Sequence, residues 1–360
     1  MPQLFTDPSD DGLTRYGWTD ALDDDFAPHR AAGLVPARIV RVDRGRCDAV
    51  TAAGPVRAGL AALHSPDPLL APCTGDWAAL RPGPEPELVA LLPRSSAIVR
   101  SSASGTSHGQ VLAANVDVVA IALSLAAPLD GARLERMLAL AWESGARPLV
   151  VLTKADLAAD AEAARAEAAT LAPGVDILVT SVTTGQNIDV LTASLSGTTV
   201  LLGSSGAGKS SLGNALLGDD LLAIGAVRER DGKGRHTTVR RELVPLPSGG
   251  VLIDTPGLRG ISLYDAADGL ERTFAEIEAL ARDCRFGDCA HDTEPGCAVQ
   301  AAIEAGELTE RRLNSYRKLQ RENAWAAART DARLRGERTD RQKAITSHLR
   351  ATYKFRDQQS

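Results

Sequence analysis

The chain of 360 residues is 44% hydrophobic and 24% charged, a globular balance that excludes collagen-like, fibrous and wholly disordered proteins. A length of 360 residues predicts two or three domains. Its 40 Lys+Arg and 46 Asp+Glu leave a net charge of −6, but the charges are segregated: residues 1–30 hold seven Asp and two Arg, whereas residues 308–360 hold 14 basic and six acidic side chains. Residues 1–34 therefore read as an acidic, flexible leader, and the C-terminal stretch as a surface suited to a polyanion. The longest uncharged apolar run, Val118 to Leu129, is too short to cross a bilayer, and the start Met-Pro-Gln-Leu lacks the basic-then-apolar pattern of a secretory signal. A soluble, cytoplasmic protein that meets no membrane is expected.

From Val35 to Leu92 short apolar runs, such as Ala37 to Val42, Asp76 to Leu80 and Leu88 to Leu92, are broken by Gly and Pro clusters, which predicts a small β-barrel. From Val116 the pattern becomes strand, helix, strand. Val116 to Leu125, Pro148 to Thr153 and Val175 to Thr180 read as strands, with helices near Ala132 to Glu143 and Leu157 to Leu171. Thr199 to Leu202 and Val251 to Ile253 add two more strands. This alternation predicts a doubly wound α/β domain with a parallel sheet. Beyond Gly257 no strand is expected, only a Cys/His cluster and helices.

Gly203-Ser204-Ser205-Gly206-Ala207-Gly208-Lys209-Ser210 fits G-x-x-x-x-G-K-[ST] between a strand and the amphipathic segment Ser211 to Leu217, the context that a phosphate loop requires. Glycines let backbone N–H groups wrap the phosphates, and the helix dipole adds to the attraction. Lys209 is expected at the β and γ phosphates of a bound nucleotide and Ser210 on Mg²⁺. Asp254-Thr255-Pro256-Gly257 supplies a D-x-x-G in which Asp254 holds the metal's water shell and the Gly257 amide senses the γ-phosphate. Arg235-His236-Thr237-Thr238 lies between these motifs, where a switch must offer a threonine to Mg²⁺. Either Thr237 or Thr238 can serve, with Thr238 preferred. Leu258 follows Gly257 and cannot orient water, which leaves His236 as the motif-borne group able to do so, or as an RNA-contacting surface residue.

Thr153-Lys154-Ala155-Asp156 resembles the guanine-reading [NT]-K-x-D, in which a carboxylate accepts from N1 and N2 of guanine; taken alone it is also a common turn sequence. Ser181-Val182-Thr183, after the next strand, reads as the remaining base-contact loop. The order is base motif, base loop, phosphate loop, switch and D-x-x-G, so the core is circularly permuted. Cys284-x4-Cys289-x-His291-x5-Cys297 offers three thiolates and one imidazole, a closed tetrahedral set for one structural Zn²⁺ per chain; iron is the competitor such donors admit.

With Ala114-Asn115-Val116-Asp117, Thr153 to Asp156, Gly203 to Ser211, Gly234 to Thr238, Asp254 to Gly257 and this cysteine spacing, residues 35 to 330 resemble the ribosome small subunit-dependent GTPase A family (RsgA, YjeQ or EngC). The resemblance implies an OB-fold RNA-binding barrel over 35–95, a circularly permuted P-loop GTPase over 96–268 and a zinc-binding, basic helical domain over 269–360. It implies GTP hydrolysis, stimulated by the small ribosomal subunit, in late maturation of that subunit. The site residues implied are Thr153, Lys154, Asp156, Ser181, Val182, Ser205 to Ser211, Thr237, Thr238 and Gly257 for GTP. The partners are the small subunit and its rRNA, with GTP and GDP, and no DNA; a monomer is expected. Arg311, Arg312, Arg317 and Lys318 are candidate rRNA contacts. The alternative is an RNA-binding assembly checkpoint in which nucleotide only sets affinity. Thr153 departs from the Asn usual in the family, so an amide contact bracing the base loop is missing or replaced by a hydroxyl.

Overall fold

Apolar residues spaced through the acidic leader decide its structure. Leu13, Tyr16 and Phe26 are buried, and Trp18 packs edge-on against Trp77 with ring centroids 4.8 Å apart. Over its described part the leader is thus not a flexible tail but carries helix α1 (Asp20–Ala31), whose N-cap Thr19 hydroxyl accepts from the Leu22 N–H at 3.3 Å. Asp20, Asp24 and Asp25 face solvent while Phe26 anchors the opposite side, so counting charge missed the helix. The structure, a computed structural model, describes residues 12–65, 67–101, 109–218, 241–254 and 263–330. Among these residues no helix is long and apolar enough to cross a membrane.

Five strands follow: β1 (Val35–Val42), β2 (Arg46–Thr51), β3 (Gly54–Gly59), β4 (Trp77–Arg81) and β5 (Glu87–Leu91). They close into a barrel in the order β1-β2-β3-β5-β4, β4 returning antiparallel to β1. Its interior is filled by small and branched side chains, Ala37, Ile39, Ala49, Ala58, Ala78 and Leu88 among them, as a narrow five-stranded barrel demands. Arg38 is the exception on β1, a fully buried cation. Its guanidinium donates to the Tyr16 carbonyl at 2.7 Å and to the Thr198 hydroxyl at 2.8 Å, and lies over the Trp77 ring at 4.6 Å. It therefore ties leader, barrel and sheet together, and burial pulls it down to about 10 against the pull of Asp117 and Asp76.

A hairpin, β6 (Ala97–Ser101) with β7 (Gly109–Ala114), links the barrel to the sheet. The sheet then runs β8 (Val118–Ser124), α2 (Gly131–Glu143), β9 (Arg147–Thr153), α3 (Ala161–Leu171), β10 (Asp176–Val179), α4 (Ile188–Ser194), β11 (Thr198–Gly203), α5 (Lys209–Leu217), β12 (Glu242–Pro245) and β13 (Val251–Asp254). Strand order is β10-β9-β8-β11-β13-β12, parallel except for the edge strand β12. Strand β8 is apolar almost throughout because both faces are covered: Val119 and Ile121 join the core under α2, Val118 and Ala120 the core under α4 and α5. The chain leaves β8 for β9 and β10 on one side and returns to β11 on the other. That reversal places the topological switch point, where open α/β sheets bind ligands, at the carboxyl ends of β8 and β11.

Four helices complete the described chain: α6 (Ala267–Thr273), α7 (Ala275–Arg282), α8 (Ala298–Glu304) and α9 (Glu310–Thr330). Helix α6 packs on α2 so closely that a Cβ at Gly269 would lie 2.0 Å from the Ala139 carbonyl oxygen. Helix α9 is bound to α2 by charge. Glu135, fully buried, takes Arg311 and Arg312 at 2.8 Å each and also accepts from the Ser315 hydroxyl. Arg312 reaches Glu276 at 2.7 Å and stacks over Phe274. Of the expected rRNA contacts, Arg312 is therefore a buried strut, and Arg311, though exposed, is committed to Glu135. An amphipathic helix read only for its charge conceals which arginines turn inward. Lys318 does lie on the exposed face.

Candidate nucleotide and metal sites

The phosphate loop leaves β11 at Gly203 and enters α5 at Lys209. Two glycines are required by its path. Gly203 passes so near β8 that a Cβ would lie 2.5 Å from the Ala122 carbonyl oxygen, and Gly208, the N-cap, has φ +84°. The Lys209 ammonium lies across the loop, donating to the carbonyls of Gly203 and Ser204 at 2.7 Å each. Ser210 and Ser211 sit in the first turn of α5 and Ser205 and Gly206 at the exposed tip, while Ala207 is buried.

The base motif lies against this loop although some fifty residues separate them in sequence. Thr153 ends β9, and its hydroxyl donates to the carbonyls of Ala207 at 2.7 Å and Leu123 at 3.3 Å. Lys154, held in the left-handed region at φ +58°, donates to the Gly206 carbonyl at 2.8 Å. Asp156 accepts from the Ser181 hydroxyl at 2.5 Å, and that hydroxyl also accepts from the Thr184 N–H at 3.2 Å. Val182 projects beside it, half exposed. One wall of the cleft is thus phosphate loop and the other a carboxylate whose direction is set by a buried serine.

Asp254 closes β13, the strand beside β11, in register with Glu242 on the edge strand. Its backbone therefore sits at the nucleotide end of the sheet. His236, Thr237, Thr238 and Gly257 lie outside the described residues.

Cys284, Cys289, His291 and Cys297 converge as the spacing predicts, their ligand atoms all within 4.8 Å of one another. His291 Nδ1 is 3.5 Å from Cys284 Sγ and 3.6 Å from Cys297 Sγ. His291 adopts φ +60° to turn its ring inward, and Arg317 and Gln300 clamp the backbone by donating to its carbonyl. Cys297 caps α8, its sulfur accepting from the Gln300 N–H at 3.4 Å. Burial pushes the Cys289 thiol up to about 11, helped by its neighbours Cys297 and Cys284. For Cys284, burial is outweighed by the backbone N–H groups of Ala298 and Val299, and its pKa falls. Burial, then Arg317, lowers the His291 pKa. Three thiols and an imidazole crowded together form a donor set that a dication satisfies. The cluster can hold a metal ion.

Sequence reasoning marked Asn115 without giving it a role. Its φ is +53°, its Oδ1 accepts from the Ser95 N–H at 3.0 Å and its Nδ2 donates to the Gly75 carbonyl at 3.0 Å, so it pins the loop ahead of β4 to the entry of β8. Asn tolerates the left-handed region, which was the available signal. Arg317 and Gln300, which brace the metal loop, left no trace in the spacing of the ligands.

Residues 91–264 match the family described as RsgA GTPase. The chain is 58% identical over 330 residues to the small ribosomal subunit biogenesis GTPase RsgA of Streptomyces coelicolor, covering 90% of each chain. It is 40% identical over 356 residues to the protein of that name from Opitutus terrae, covering 94% of this chain and 97% of the other. Among solved structures, YjeQ from Thermotoga maritima is similar at a TM-score of 0.58 and 25% identity, over 79% of this chain and 97% of that one. YloQ, a circularly permuted GTPase, shares the fold at a TM-score of 0.57 and 22% identity, over 80% of this chain and 94% of that one.

Proposed function

The chain belongs to the RsgA GTPase family, and from that premise we propose how it works: it is a GTPase of small ribosomal subunit biogenesis, hydrolysing GTP to GDP and phosphate in response to that subunit. The observation that carries this reading is the joining of base motif to phosphate loop across the switch point, through Thr153 to Ala207 and Lys154 to Gly206. A purine held at Asp156 would then run its phosphates into the backbone N–H groups of Ser205 to Ser211. Asp156 accepts from N1 and N2 of guanine, and Ser181 keeps it aimed; Val182 flanks the base. Lys209 leaves the loop carbonyls for the β and γ phosphates, neutralising charge as the γ-phosphoryl departs.

The oxygen donors suit Mg²⁺: Ser210 in the first turn of α5 and Asp254 on the neighbouring strand, with Thr238 or Thr237 from the switch. When bound, the ion withdraws charge from the phosphate oxygens. His236 orients the attacking water, and the Gly257 amide reports the γ-phosphate. At the thiolate cluster the sulfur-rich tetrahedral donors suit one structural Zn²⁺, held by Cys284, Cys289, His291 and Cys297. The barrel and the exposed face of α9 meet rRNA, and the chain acts as a cytoplasmic monomer.

Phosphate release from the full chain, measured with and without purified small subunits, tests this reading. Strong stimulation that Lys209→Ala abolishes is expected. Tight subunit binding with unstimulated hydrolysis would instead mark an RNA-binding checkpoint in which nucleotide only sets affinity.

A further inference from the structure

Between the barrel and the sheet lies a cavity of about 830 Å³ that shares no lining residue with the nucleotide or metal sites. The β1–β2 turn contributes Val42 and Arg44, the loop ahead of β4 contributes Pro72 and Thr74, and β7 and the entry to β12 contribute Val111 and Arg241. Its size and mostly apolar walls are those of a small-molecule site, with a few convergent polar groups.

The charge is unbalanced. Arg241 is half-buried and makes no ion pair or hydrogen bond among the described residues, and its Nε is fully shielded from water. Arg100, next to the cavity, also has a shielded, unpartnered Nε; it donates to Gln110 on the cavity wall at 3.0 Å. Burial, then the like charge of Arg100, push the Arg241 guanidinium below its ordinary value. Arg44 stands exposed at the rim with no carboxylate in reach among the described residues. The one acid on the wall among the described residues, Asp43, is committed to Arg57 at 2.7 Å. Arg94 is ion-paired with Asp76, Arg136 with Glu322 and Arg312 with Glu135 and Glu276, while Arg38, buried without a carboxylate among the described residues, donates to the Tyr16 carbonyl and the Thr198 hydroxyl. Cations gathered at a partly dehydrated surface without counter-charge are costly unless an anion joins them, and guanidinium forks fit phosphate oxygens in pairs.

We propose that this cavity binds the phosphate of a single nucleotide unit, free or within an RNA strand, with Arg241 and Arg44 on its oxygens and Val42, Pro72 and Val111 against its apolar face.

The test uses the full chain with GDP in excess, so that occupancy of the phosphate loop is fixed. Uridine monophosphate and a ten-residue oligouridylate are titrated by calorimetry into wild type, Arg241→Ala and Arg44→Ala; the second change, at an exposed side chain, spares the fold. Saturable binding of a probe, weakened at least tenfold by each substitution while GDP affinity stays unchanged, is expected. An oligonucleotide at least tenfold tighter than the mononucleotide identifies RNA as the source, and equal affinities identify a free nucleotide. Failure of both probes to bind, binding indifferent to both substitutions, or loss in step with GDP affinity would overturn the proposal.

Discussion

The Thr153 hydroxyl donates to the Ala207 carbonyl at 2.7 Å, fastening the end of β9 to the phosphate loop over the intervening strand β8. The bond reaches the phosphate loop, not the base loop that the family's asparagine amide was expected to brace. Thr153→Val keeps the shape and removes the donor, which costs about 1 kcal/mol or somewhat more because a buried acceptor is stranded. GTP and GDP affinities are therefore expected to fall about fivefold to tenfold, and by less in Thr153→Asn. A fluorescent-nucleotide titration checks this, and wild-type affinity in the valine variant would show the brace to be idle.

Asp156 is held by Ser181 at 2.5 Å, so its carboxylate is fixed in one orientation. Asp156→Asn presents an amide donor where the guanine N2 donates, and should exchange guanine for xanthine specificity. Two hydrogen bonds to a charged acceptor, each about 1.5 kcal/mol or more, predict a loss of GTP affinity of about a hundredfold. Competition among GTP, XTP and ATP is the measurement, and an unaltered preference for GTP would displace the base site.

Elemental analysis of the purified chain should find about one zinc equivalent, as a single four-ligand site requires. Cys289→Ala is expected to lose it and to lower the melting temperature, since metal-binding energy in such a site is also folding energy. Metal release on acidification should follow, because protons compete for the thiolates and the imidazole. Metal-free protein of full stability would remove the site.

Glu135 carries α9 on α2 through Arg311, Arg312 and Ser315. Burial alone would raise its pKa, but Arg311, Ser315 and Arg312 together hold it below the ordinary carboxylate value. The unfolded chain therefore takes up this proton at higher pH than the folded one. The stabilisation is complete above the ordinary glutamate range, about pH 4.3, and is lost as pH falls through the depressed folded value. Glu135→Ala leaves Arg312 buried with a partner removed and should cost about 3 to 5 kcal/mol at neutral pH. Denaturant unfolding at neutral and acidic pH should show the gap between wild type and variant narrowing with acid. A gap independent of pH would mean that Glu135 acts by packing alone.

Local spacing was enough to mark the phosphate loop and the metal cluster, because each rests on residues close in sequence whose chemistry demands their order, whereas T-K-x-D taken alone also reads as a turn. The alternation of apolar strands and helices from Val118 to Leu217 likewise declared the sheet, since a parallel strand buried on both faces leaves an unbroken apolar run. What only the tertiary structure decided are relationships between distant segments and the direction of long polar side chains. Composition made residues 12–34 a solvated tail and Arg312 a surface cation; Phe26 and Trp18 docked the first and Glu135 drew in the second. Burial of a charge depends on whether a partner waits inside, and that partner lies 177 positions away for Arg312 and Glu135. For the same reason Arg241 at the barrel cavity could not be singled out beforehand: its lack of a counter-charge among the described residues is a property of the space around it, not of its neighbours in the chain.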